Sequence, residues 1–169
     1  MFYFMKLNFS RFAVVLVAFS LLAACQTTAT EPVQVAETRD CFSEAPLPNY
    51  TVTTPLDSVP SNTRGFSGIW VGHWSDIQVG NDEALCHILV VENINDQGEV
   101  KIIYSSGVYR PWGLNSGEYG RYNAKVTPNG KLYATLGNGV EVSYQMNAEG
   151  NLTGNYKHGV AFGTLRKTD

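Results

Sequence analysis

Charge is scarce in this 169-residue chain: 16% of its residues are charged, and 12 basic against 15 acidic side chains leave a formal net charge of −3. Without a basic excess the chain lacks the electrostatic footprint of a nucleic-acid binder, so no nucleic-acid partner is expected. At 44% hydrophobic it is too apolar to be disordered throughout. No segment after residue 65 shows a helical apolar period. Motifs of catalysis are missing as well. The string Gly65-Phe66-Ser67-Gly68-Ile69 fails the Gly-x-Ser-x-Gly elbow at its last position, and that elbow needs a strand-to-helix turn that is not predicted. Phosphate-cradling loops are absent, because the glycines fall in hairpin turns. No acid–base or nucleophile set assembles, which weighs against an enzyme. No cofactor is expected.

Cysteines number three, and the first of them closes the N-terminal segment. Lys6 and Arg11 supply a positive start, residues 12–22 form an apolar run interrupted only by Ser20, and Ala23 and Ala24 precede Cys25. A run this short with small residues after it reads as a secretory signal peptide and not a membrane span. Leu22-Ala23-Ala24-Cys25 resembles the bacterial lipoprotein box. The resemblance implies a signal peptide over residues 1–24 and a diacylglycerol, with further acylation such as palmitate, on Cys25. The partner of that anchor is a membrane of the cell envelope. Gln26 stands where Asp would retain the protein at the inner membrane, so the resemblance favours the outer membrane. Two or more acyl chains hold a protein stably on a bilayer.

Residues 25–64 are different material. Five of the seven prolines (Pro32, Pro46, Pro48, Pro55 and Pro60) lie there, with no apolar periodicity. Such a composition cannot fold by itself and predicts a disordered Pro/Thr-rich tether. The alternative is an ordered arm packed on the domain surface. With Cys25 lipidated, Cys41 and Cys86 remain, and an oxidising compartment joins such a pair. A Cys41–Cys86 disulfide is therefore expected, laying residues 42–64 across the wall of the domain; a buried free Cys86 is the alternative.

Residues 65–169 read as short strands separated by turns. Residues 66–74 are aromatic and glycine-rich, residues 85–94 are nearly continuously apolar, and Asn95-Asp96-Gln97-Gly98 turns the chain into residues 99–105. After a Gly- and Pro-bearing stretch at 107–117, apolar residues alternate with polar ones: Tyr122, Ala124 and Val126, then Leu132, Ala134 and Leu136. The same alternation continues through Val140, Val142, Tyr144 and Met146, then Leu152, Gly154 and Tyr156, before a last strand over 160–166. Period two gives each strand one buried and one wet face. Seven or eight antiparallel strands leave open edges unless they close, so the fold class is all-β, a small antiparallel up-and-down β-barrel of about eight strands. A two-sheet sandwich is the alternative architecture.

Gly68-Ile69-Trp70 on the first strand resembles the Gly-x-Trp start of lipocalins and of the shorter avidin-type barrels. The lipocalin resemblance implies that Trp70 plugs one barrel end under a basic residue of the last strand, a place Arg166 can fill through a cation–π contact. It covers one strand and the strand count. The C-terminal helix of lipocalins and the polar ligand set of avidins have no counterpart here.

Trp70, Trp74, Tyr104, Trp112 and Tyr144 are candidate walls of an interior pocket for an apolar or amphipathic small molecule. Simple core filling by the same aromatics is the competing reading. Loops carry function more often than packed strands. Tyr109, Arg110, Trp112, Glu118 and Tyr119 therefore make a second candidate, a loop surface toward an envelope enzyme or wall polymer, with the aromatic and arginine composition of interface hot spots. His73, His87 and His158 come with Asp76, Glu83 and Glu92 but without His-x-x-x-His spacing. His73 and His87 fall on adjacent expected strands and can meet across them. The plainer reading makes each a surface strand residue, and no metal is expected.

Overall fold

The computed structural model describes residues 40–76 and 84–168; the expected signal peptide, Cys25, Gln26 and the expected tether up to residue 39 lie outside the described residues. Eight strands run in order: β1 (Gly68–Asp76), β2 (Ala84–Ile94), β3 (Glu99–Ser106), β4 (Glu118–Val126), β5 (Lys131–Thr135), β6 (Glu141–Met146), β7 (Leu152–Tyr156) and β8 (Ala161–Thr168). Each pairs antiparallel with the next, and β8 returns to β1 from Ile69↔Thr168 to Asp76↔Ala161, closing an up-and-down barrel. Closure leaves no sheet edge along β1 and β8 and rules out the sandwich. Hairpin turns are set by glycines such as Gly130 and Gly150, at φ 75° and 79°, where an L side chain is strained.

The period-two residues fill the lumen. Trp70, Trp74, Leu89, Ile102, Leu132, Val142, Tyr144, Leu152 and Leu165 belong to one buried cluster. Register explains which basic residue covers Trp70. β8 pairs Lys167 with Trp70 and Arg166 with Val71, so Lys167 shares the inward face and Arg166 lies outside. Lys167 Nζ stands 5.3 Å from the Trp70 ring centroid, a correction to the role expected of Arg166. Trp70 Nε1 donates to the Phe66 carbonyl at 2.8 Å, and Phe66 and Val59 join the same buried cluster. The end of the barrel where β1 begins is thereby stoppered.

Over residues 40–64 the expected disorder is corrected. Residues 40–64 form an ordered strap on the outer wall, with the Cys41–Cys86 disulfide in place and a Cα–Cα separation of 5.2 Å. A short helix α1 (Cys41–Glu44) starts it, its Phe42 amide capped by the Asp40 side chain. Helix α2 (Ser61–Arg64) ends it. Between them the strap is held by backbone as much as by side chains. The Thr53 amide donates to the Glu92 carbonyl at 2.8 Å, Ser105 Oγ to the Pro46 carbonyl at 2.6 Å, and Arg121 to the Asn49 carbonyl at 2.6 Å. Glu92 lies at an irregularity in the β2–β3 register between Val91 and Asn93. Beneath the strap, Cys41, Ala45, Cys86, Ile88, Val90 and Ile103 make a second core, flanked by Leu47, Val52, Ile69 and Val71. That second core is why β2 reads as a continuous apolar run: lumen claims one face and strap the other.

Candidate functional site

Among the described residues, the barrel's other end is open. Here β3 finishes, β4 begins, and the turns after β5 and β7 stand as the rim. β5 pairs only with residues 124–126 of β4, so the first half of β4 has no paired strand on that side among the described residues and the wall dips. The result is a cup of about 590 Å³, lined among others by Leu85, Tyr104, Trp112, Tyr122, Leu136 and Tyr156, within the volume range of small-molecule sites. The loop between β3 and β4 folds inward over it. Tyr109 and Leu114 exchange backbone hydrogen bonds at 2.9 and 3.1 Å, clamping a 3-10 turn (Arg110–Trp112). Trp112 then stacks on Tyr156, centroids 5.0 Å apart and planes 22° from parallel, with Tyr109 edge-on to it at 5.3 Å. Tyr122 reaches the cup by lying across Gly120, where a β-carbon would overlap its ring.

Below the cup the lumen is full. Trp74 stacks on His87 at 5.1 Å and stands 5.9 Å from Tyr144; its ring lies over Gly154, the one residue type with no side chain to collide. Every heteroatom in this layer is hydrogen-bonded. The Ser105 carbonyl only accepts, so His87 Nδ1 carries the proton and donates to it at 2.8 Å, leaving Nε2 to accept from the Tyr144 hydroxyl at 2.8 Å. Trp74 Nε1 donates to the Tyr104 hydroxyl at 2.9 Å. Burial pulls the His87 pKa down to about 3, against the opposing pull of the Ser105 carbonyl bond. Burial likewise drives the hydroxyls of Tyr104 and Tyr144 up, with neighbouring tyrosines adding to it. The layer is neutral at physiological pH.

The candidate pocket walls therefore separate. Tyr104 and Trp112 line the cup; Trp74 and Tyr144 are packed beneath it, each 1% exposed, and Trp70 belongs to the stoppered end. Among the loop candidates, Glu118 and Tyr119 stand on the cup's rim, Arg110 is exposed, and Tyr109 is buried in the core, a correction to its place on an exposed surface. His73 and His87 do not meet. β1–β2 register opposes His73 to Cys86 and Gly72 to His87, so the two histidines face opposite sides of the wall, and His87 is 0% exposed where a surface residue was expected. His73 Nε2 lies 3.3 and 3.5 Å from the two disulfide sulfurs. These three side chains have ligand atoms within 4.8 Å of one another, but both sulfurs are spent in the disulfide. At the rim, Lys157 and His158 hold left-handed backbone at φ 47° and 53°, with His158 Nε2 2.8 Å from Glu141.

The sequence reading missed Ser106, Tyr122, Tyr156 and Lys157 as cup residues. Inward parity of Tyr122 and Tyr156 was the available signal; the dip in the wall that exposes them was not. No family model matches the chain, and no curated protein matches it either.

Proposed function

We propose that this is a lipid-anchored protein of the bacterial cell envelope, held through acylated Cys25 and sorted to the outer membrane by Gln26, whose barrel of the lipocalin or avidin kind binds an apolar or amphipathic small molecule. The observation that carries the binding reading is the cup of about 590 Å³ at the open end, walled by Tyr104, Trp112, Tyr122 and Tyr156. Aromatic walls with a few polar groups are what small-molecule sites use. Trp74 and Tyr144 take the role of packing beneath the cup, and Trp70 that of the stopper at the other end.

Native mass spectrometry of the full chain, purified gently from its own envelope fraction, tests this. The expected result is a co-purified amphiphile that is lost from Trp112→Ala protein. An empty protein whose tryptophan emission answers to no amphiphile overturns it. The second reading, an interaction module, rests on Arg110 and Tyr119 being exposed beside Trp112. Arg110 does not line the cup, so capture of an envelope protein that is lost in Arg110→Ala, with small-molecule binding absent, selects that reading instead.

A further inference from the structure

The floor of the cup carries two hydroxyls whose hydrogens are unspent. Tyr104 and Ser106 sit two apart on β3, on its inward face, and both line the cup. Tyr104 is 7% and Ser106 2% exposed. The indole N–H of Trp74 is a donor only, so the Tyr104 oxygen is the acceptor of that bond. Its own O–H has no acceptor among the described residues, and neither does the hydroxyl of Ser106. Both hydroxyls face the cup, so a ligand that displaces the water there and offers no acceptor leaves these donors unmade at a cost, which an accepting ligand avoids.

We propose, on the premise that the cup binds a small amphiphile, that its ligand carries a neutral hydrogen-bond-accepting oxygen (the carbonyl of an ester, ketone or amide) and enters with that group toward Tyr104 and Ser106. Neutrality follows from the charges present. The floor offers hydroxyl donors and no cation, and the imidazole beneath it is buried and uncharged. Glu118 lines the cup and its carboxylate acts on both Tyr104 and Tyr156, adding to the effect of burial. A carboxylate pushed to the floor would meet that negative charge unpaired. The lining cation, Lys157, is exposed at the rim, where it can hold an acid only with its tail inward.

Titration of the full chain with methyl octanoate, octanoate and octane, followed by tryptophan emission and calorimetry, tests the orientation and the class. Methyl octanoate should bind the wild-type protein most tightly. Ser106→Ala and Tyr104→Phe should each weaken it about three- to tenfold, the worth of one hydrogen bond, while octane is unaffected. Tyr104→Phe also takes the acceptor from Trp74 Nε1, so thermal melting accompanies it, and Ser106→Ala carries the test if that variant does not fold. Equal binding of the ester and octane, tighter binding of octanoate, or an ester affinity indifferent to Ser106→Ala overturns the inference and leaves the cup standing. No binding of any of the three overturns the cup and the inference together.

Discussion

His87 shows how much a single position depends on its surroundings. In β2 it lies between Cys86 and Ile88, both fully buried, so no contrast of polar and apolar neighbours reveals which way it faces. Only register puts it in the lumen, between the Ser105 carbonyl and the Tyr144 hydroxyl. Its pKa falls from 6.5 in the unfolded chain to about 3 in the fold. The unfolded state then binds the extra proton throughout that window, so stability is full above pH 6.5 and declines as pH falls toward 3. The contribution lost by pH 5 is about 2 kcal/mol. Urea midpoints should fall between pH 7 and pH 5. Imidazole nitrogen shifts should show His87 still neutral at pH 5, and a protonated signal there would contradict the buried, hydrogen-bonded placement.

At the scale of elements, the alternation of Tyr122 to Val126 and of Leu132 to Leu136 was enough to mark β4 and β5, and the same logic serves β6 and β7. β2 was legible as a strand buried on both faces, but what covers its outer face was not. Leu47 and Val52 lie among prolines, with no period to mark them as a packing surface, and their docking is written in backbone bonds from Thr53 and to Pro46 and Asn49 that no residue type announces. Cysteine number alone pointed to the strap. Replacing both Cys41 and Cys86 by serine opens a loop of sequence separation 45 and should cost up to about 4 kcal/mol. Denaturant unfolding measures the loss. Amide exchange should quicken first along residues 42–53 and in β2, where Ile88 and Val90 gain water.

For the whole molecule, barrel closure was foreseeable because eight alternating strands without helices have few other ways to hide their edges. The division of the barrel into a stoppered end, a filled middle and an open cup was not. It depends on how far β5 falls short of β4, on Tyr122 folding over Gly120, and on a loop turned inward by the Tyr109–Leu114 pairing. None of these is announced by residue type. Candidate pocket walls picked by type thus scattered over all three levels, and of those five aromatics Tyr104 and Trp112 reached the cup.

The disulfide also sets how the molecule bears a mechanical load. A pull applied between the chain upstream of Asp40 and the last strand reaches Cys41 and crosses the sulfurs directly into β2, bypassing residues 42–85. The strap is therefore never peeled, and β1 is not drawn out by its own ends. Single-molecule stretching of the oxidised protein should give a contour gain short by the 45-residue bypass, and reduction should restore it. A chain so linked takes the load on β2 and β8 and holds residues 42–85 out of it until the sulfurs part.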